Sequence, residues 1–412
     1  LFLGLWVSLV LPEACSTGEA PPPFSVARDD AGIETVTNRL NSLDAQCALS
    51  EEPTLTIGRG QAGDEYALYR VFGATRLSDG RVALVNQGSD QVRVFDAAGR
   101  FLFNAGHGGD GPGEFKRAFG VWRLPGDTLW VGNYPPWRFE VFAPDGAWVR
   151  TVRPRLDYIT RPPIAFVLDD GRFVLARFEL TAESKRVYQL LHATPVMYGP
   201  DGTLLDTLMT LPNGRYGPAS SDPHNPVWLY PLFESFAVVK GRGQEFIAGH
   251  GATPKLTVYE VSDTVRVVRR IRWTTGDRAV TEEIVAEERR RLADAYKGIA
   301  PAARKRMVDP LIGEERPVAD TLPAFTEALV GRDGRMWVKL YRRPADQGPS
   351  SWVGFNADGR AECRLFVPRD ADVLEIGEDY LLVHDTDDLD VEGVSLYALS
   401  APPDTAGAPA GS

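Results

Sequence analysis

Cysteine, methionine and histidine are scarce in this sequence: three, four and five among 412 residues. Three cysteines exclude a disulfide-dense scaffold. None of His107, His192, His224, His250 and His384 stands at metal-ligand spacing from another, so a zinc site needs three of them brought together from distant parts of the chain. Basic residues are outnumbered by acidic ones, for a formal net charge of −11. That balance argues against a broad nucleic-acid footprint, which needs a basic face, and favours solubility. The apolar run Leu1–Leu11 is too short to span a bilayer. No Gly-x-Ser-x-Gly elbow offers a serine nucleophile. The Gly-x-Gly patterns between 106 and 113 lack the following helix that nucleotide binding requires.

Glycine (40) and proline (31) are plentiful, as many tight turns demand. With 43% apolar and 25% charged residues, the composition suits a globular protein with a substantial core. The chain also repeats itself. Leu55 to Asn86 and Phe101 to Asn133 share a register offset by 47, in which Gly73 answers to Gly120, Val82 to Leu129 and Asn86 to Asn133. The same offset relates Val94 to Val141 and Gly99 to Gly146. A period of this length built of short strands is the mark of a β-propeller blade.

Each repeat reads as four strands. A Gly/Asp turn such as Ser78-Asp79-Gly80 separates the first two, and Asp96-Ala-Ala-Gly99 or Ala143-Pro-Asp-Gly146 separates the last two. Second strands begin at Val82, Leu129, Arg172, Glu245, Arg335 and Asp379, which makes six. The expectation is an all-β, six-bladed propeller over residues 47–400, with a helical insertion between blades 4 and 5. The last repeat stops after its third strand, near Ser400. Pro53 to Gly58 matches a fourth strand and is expected to close the ring from the other end, removing exposed edges. Inserts are expected at 179–195, at 213–233 and at 275–325. In the last, Thr281 to Leu311 reads as helix and predicts a cap over one side of the central opening. Its Arg289-Arg290-Arg291 run reads as a solvated face.

Residues 1–16 read as a signal peptide or lipoprotein signal, with no Met or basic segment ahead of the apolar run, so the start reads as clipped. Ala14-Cys15-Ser16 marks Cys15 for lipidation, although Pro12 and Glu13 depart from that pattern. Residues 17–46 read as tether and lead-in, and 401–412 as a disordered tail. The expected localisation is exported: a periplasmic or envelope-anchored lipoprotein, otherwise secreted. In an oxidising compartment Cys47 and Cys363 are available to pair, because ring closure brings their regions together. The alternative is two small buried hydrophobes.

The segments Gly109-Asp-Gly-Pro-Gly-Glu-Phe115 and Val94-Phe-Asp-Ala-Ala-Gly-Arg-Phe101 resemble the NHL-repeat family of six-bladed propellers, and in particular exported bacterial propeller proteins of unassigned role. The likeness is clear over 55–150 and returns over 326–365. It bears on fold, not activity.

Candidate site residues come from the ends of the six second strands: Asn86, Asn133, Arg177, His250, Leu340 and His384. Five are polar, which suits a ligand-binding ring at the channel mouth; ordinary polar termination of strands around a wet channel is the alternative. The acidic run Asp385 to Glu392 has the density for Ca²⁺ but not the EF-hand spacing, so a solvated loop competes with an ion site. Tyr134 to Arg138 and Trp228 to Tyr230 offer aromatic rings for sugar or peptide stacking, or for packing under the cap. No catalytic residue is identified. The leading expectation is a monomeric binding module for a protein, peptide or glycan, without nucleic acid and touching membrane only through an N-terminal lipid. The alternative is a lactonase: six-bladed propellers similar to gluconolactonases hold Ca²⁺ on the channel axis with Glu, Asn and Asp, and Asn86 and Asn133 are available for such a set.

Overall fold

Glycine sets the strand lengths. Gly80, Gly99, Gly146, Gly334 and Gly359 all take positive φ and end the tight turns between paired strands, a backbone that L side chains resist. In the computed structural model, residues 22–135, 137–156, 165–178, 188–219 and 227–400 are described. Residues 1–16 with Cys15, and the tail 401–412, lie outside them.

Among the described residues the strands form six antiparallel four-stranded units. Unit one is Val71–Arg76, Val82–Asn86, Gln91–Phe95 and Phe101–Ala105. Unit two is Ala118–Arg123, Leu129–Asn133, Arg138–Phe142 and Trp148–Val152. Unit three begins with Ala165–Val167, Phe173–Phe178, Gln189–Tyr198 and Leu204–Thr207, and carries the extra strands Leu211–Pro218 and Trp228–Leu229. Unit four is Ala237–Arg242, Glu245–His250, Lys255–Val261 and Val265–Trp273. Unit five is Phe325–Val330, Met336–Leu340, Ser350–Phe355 and Ala361–Val367. Unit six is Asp372–Ile376, Tyr380–Thr386 and Glu392–Ser400, completed by Leu55–Ile57 from the other end of the chain, with Thr56 opposite Ser395.

Second strands are apolar without alternation because both their faces are covered. Every residue of Val82–Asn86 and Leu129–Asn133 is buried. The cores between units form a cycle. One cluster joins units one and two through Val85, Val94 and Phe142. Others join two to three (Phe139, Phe173), three to four (Phe166, Phe246), four to five (Ile271, Phe355) and five to six (Trp352, Leu381). The sixth joins six back to one through Leu382, Ile57 and Phe95. Apolar faces shared in a closed cycle define a propeller-type fold.

The motif glycines do local work. At Gly106 (φ +81°) a Cβ would stand 2.5 Å from the Gly113 carbonyl. Glu114 accepts the Gly111 N–H at 2.7 Å, and buried Phe115 packs on Phe142 at 5.9 Å between centroids.

The lead-in differs from the tether expected for 17–46. From Phe24 it is strand. The hairpin Phe24–Arg28 and Glu34–Asn38 adds in parallel to the outer strand of unit four. Gln46–Leu49 then lies between the outer strand of unit five and the third strand of unit six, parallel to Ala361–Val367 and antiparallel to the end of Glu392–Ser400. Val36 and Leu40 bury fully, so the segment has its own apolar reason to dock. Cys47 is disulfide-bonded to Cys363, with Cα atoms 5.5 Å apart.

The long insert follows unit four as three helices, Glu282–Ala295, Pro301–Met307 and Asp309–Ile312. Thr281 accepts the Ile284 N–H at 3.3 Å, and Glu282 and Glu283 occupy the first turn. The single helix expected over 281–311 is broken where Gly298 takes φ +90° and Pro301 opens the next helix. Arg290 and Arg291 are exposed, while Arg289 is half-buried and donates to the Gly313 carbonyl at 3.3 Å.

Candidate functional site

The ends of the second strands are committed to their own units. The Asn86 side-chain oxygen accepts the Tyr69 N–H at 2.7 Å, and its amide donates to Ser89 Oγ at 2.9 Å. Asn133 accepts the N–H groups of Lys116 and Arg117 at 3.1 Å and donates to the Glu114 carbonyl at 3.3 Å. Each therefore pins the loop leading into its unit's first strand. His384 acts through a carboxylate: its Nε2 lies 3.0 Å from Glu392, which accepts the N–H groups of Arg70 and Val71 at 2.6 and 2.8 Å. The Asp372 carboxylate, 3.8 Å from its Nδ1, with Glu392 adding, holds the His384 pKa above its ordinary value against burial. His250 is half-buried, its Nδ1 accepts the Ala252 N–H at 3.4 Å, and burial pushes its pKa down. Arg177 stands opposite Thr194 in the strand register, and Leu340 opposite Phe325.

None of these six residues lines the central cavity. They lie at or near the ends of the second strands, one strand out from the cavity wall. The innermost position in each unit belongs to the first strand, and first strands from all six units line the cavity of about 710 Å³. Its wall is strongly aromatic: Phe72, Phe119, Trp122, Phe166, Phe236 and Trp352. Phe72 and Phe236 keep 49% and 40% of their surface exposed, large values for phenylalanine.

The aromatic stretches divide. Trp137 is buried and packs edge-on to Phe119 at 4.6 Å. Tyr230 lines the cavity and links Phe236 (4.8 Å) to Tyr216 (4.9 Å). Arg316 of the insert donates to the Tyr230 carbonyl at 2.8 Å, and Val318 bridges to Leu232. The insert thus buttresses one wall, but no residue of 275–325 is among the lining residues.

Four charged residues face the cavity: Lys240, Arg242, Glu327 and Glu375. Glu375 is buried and saturated. It pairs with Arg332 at 2.7 Å and Arg242 at 3.4 Å, and accepts from Tyr380 Oη (2.5 Å), Thr75 Oγ1 (2.9 Å) and the Arg76 N–H (3.1 Å). Burial alone would raise its pKa, but the two guanidinium groups and these donors hold it below the usual carboxylate value. Glu327 pairs with Lys339 at 2.7 Å. The Lys240 side chain is exposed into the cavity space. Desolvation by the surrounding wall pushes its amine pKa down, with Glu327 pulling the other way.

The donor set does not suit a calcium ion, which wants several free oxygen ligands. Glu375 and Glu327 are neutralised by cations, and the Asn86 and Asn133 oxygens hold backbone N–H groups. In the acidic run, Asp385 pairs with Arg59 at 2.6 Å, and Asp387 accepts the N–H groups of Leu389 and Val391. Among the described residues no group of three His, Cys, Asp or Glu is arranged to hold a metal, and no helix is long and apolar enough to cross a membrane.

The molecule is thus a propeller-type protein with a partly apolar axial cavity. No protein-family model matches the chain, and no curated protein does. Solved structures do align over most of its length. A candidate exported protein from Bacteroides fragilis is 12% identical, covering 90% of this chain and 99% of its own, with a TM-score of 0.49. A DUF4221-family member from Bacteroides vulgatus is 10% identical over 87% and 99%, at 0.45. A gluconolactonase from Xanthomonas campestris is 11% identical over 92% and 95%, at 0.41. At such values the fold assignment rests on the strand pairing and shared cores, not on these neighbours.

Proposed function

We propose that the protein is an exported, NHL-like, six-bladed β-propeller that works as a binding module, with its ligand seated in the axial cavity and reached from the loop-rich face. The observation that carries this reading is the cavity itself, walled by the first strands of all six units and lined by under-covered aromatic rings. Concave sites of this size with few polar groups are where small ligands, or the projecting end of a peptide or glycan, are held. Export is supported by the Cys47–Cys363 disulfide, since such bonds persist in oxidising compartments. A lipid on Cys15 would then anchor a monomer to the envelope. The calcium-dependent lactonase alternative is not favoured, because the carboxylates nearest the axis are neutralised by arginine and lysine.

Thr326 is exposed into the cavity, so Thr326→Trp fills it without touching a core position. The test is a thermal-shift screen of envelope glycans, peptides and small metabolites on wild type and this variant. Compounds that stabilise wild type are expected to leave Thr326→Trp unshifted. Equal shifts in both proteins would place binding elsewhere. Chelator is expected to leave wild-type melting unchanged; a large drop would revive the metal-dependent reading.

A further inference from the structure

We propose that the axial cavity binds an amphipathic monocarboxylate, its aromatic or aliphatic body against the ring-lined wall and its carboxylate on Lys240 Nζ. This inference rests on the cavity reading above and specifies its ligand class.

The argument is one of unmatched charge. Two carboxylates face the cavity, and each is already held by a cation at 2.7 Å, Glu327 by Lys339 and Glu375 by Arg332. Arg242 adds to the second pair at 3.4 Å and donates to the Val330 carbonyl at 3.0 Å. Lys240 has no ion pair or hydrogen bond of its own among the described residues; its nearest charged influence is Glu327, which Lys339 already neutralises. Of the four charged residues facing the cavity, both carboxylates are neutralised from outside it, Glu327 by Lys339 and Glu375 by Arg332, which leaves Lys240 without a counter-charge of its own. A lone ammonium in a protein cavity is poorly solvated, and a ligand carboxylate would supply the missing partner.

The wall decides the rest of the ligand. Phe72, Phe236 and the half-buried Trp122 present ring surface to the space, while Phe119, Phe166 and Trp352 are already buried behind them, and a small hydrophilic anion would leave the first three wet. A body of phenyl or medium alkyl character buries them and gains from the same contact. A polyanion suits the site less well, because Lys240 is the one lining cation without an ion pair and a second charge would find no free partner.

The experiment is isothermal titration with a matched probe pair, 4-phenylbutyrate and its neutral amide, on wild type, Lys240→Met, Lys240→Arg and Thr326→Trp. Thermal melts accompany each variant to verify folding. Wild type is expected to prefer the acid by roughly ten-fold or more, the scale of one charge-assisted hydrogen bond. Lys240→Met should erase the preference while still binding the amide, Lys240→Arg should keep it, and Thr326→Trp should abolish both. Equal affinity of wild type for acid and amide, or a preference that survives in Lys240→Met, overturns the carboxylate assignment while leaving the cavity as a site. Binding of both probes to Thr326→Trp as tightly as to wild type overturns the cavity itself, and so does failure of wild type to bind either probe.

Discussion

Reducing the Cys47–Cys363 bond should destabilise the ring by about 3–4 kcal/mol, and the structure says why. The bond spans 316 residues, nearly the whole propeller. In the chain-entropy treatment a cross-link of that span removes about 5–6 kcal/mol of freedom from the unfolded chain, and measured disulfides deliver typically 2–4 of such values. Both sulfurs are buried, so reduction to two thiols leaves the packing in place and isolates the cross-link. The strand carrying Cys47 is short, Gln46–Leu49, and makes only two paired positions with each neighbour. It is therefore the weakest link between units five and six once the covalent bond is gone. The assay is equilibrium guanidinium unfolding with and without reductant, with thiol counting to verify reduction. A loss of 4 kcal/mol should lower the melting temperature by about 5 °C for a chain of this length. The denaturant slope should also rise on reduction, because the freed unfolded chain exposes more surface. Unfolding free energies within about 0.5 kcal/mol of each other, with an unchanged slope, would refute the view that this bond constrains the closed ring.

Two further outcomes follow from buried polar groups. Glu375→Gln strips the counter-charge from Arg332 and Arg242 and should cost about 3–5 kcal/mol, read by denaturant unfolding. Its pKa is depressed in the fold, so its contribution is fully present above the unfolded value near 4.5 and is lost as pH falls through the lower folded value; the variant's acid-unfolding profile should lack that component. Asn133→Ala removes an acceptor for two backbone N–H groups and should cost about 2 kcal/mol, while leaving 4-phenylbutyrate affinity unchanged because the residue does not line the cavity.

The propeller-type architecture was legible because its determinants are local and repeated. A buried second strand must be apolar on both faces, and a tight turn must end in glycine, so Val82–Asn86 and Leu129–Asn133 announce themselves. The match of Pro53 to Gly58 with a fourth strand located the chain's return, and Leu55–Ile57 does pair with Glu392–Ser400. The belt from Phe24 to Leu49 was not legible. Its strands add to outer edges through backbone hydrogen bonds in parallel register, which leave little trace in side-chain pattern. Of its eight apolar side chains larger than alanine only Val36, Leu40 and Cys47 are buried, and their spacing does not keep the strand period.

The cavity was illegible for a different reason. The second strands carry the most regular signal in each repeat, and that signal stops at their polar ends, not at the cavity wall. Those terminal Asn and His side chains are polar because each must satisfy a loop's N–H groups or a neighbouring carboxylate, a structural need that recurs from unit to unit and so looks like a designed ring. The cavity belongs to the first strands, and they vary. Unit one presents Phe72, unit four Lys240, unit five Glu327 and unit six Glu375. Variation is what a binding surface should have, since identical blades would make a symmetric channel with no means of orienting an asymmetric ligand. The sequence signal that would have found it is the charged residue set in an otherwise apolar inner strand: lysine within Ala237–Arg242 and glutamate within Asp372–Ile376. A charge in such a place needs a partner. Glu375 has two within the chain, and Lys240 is left to find its own.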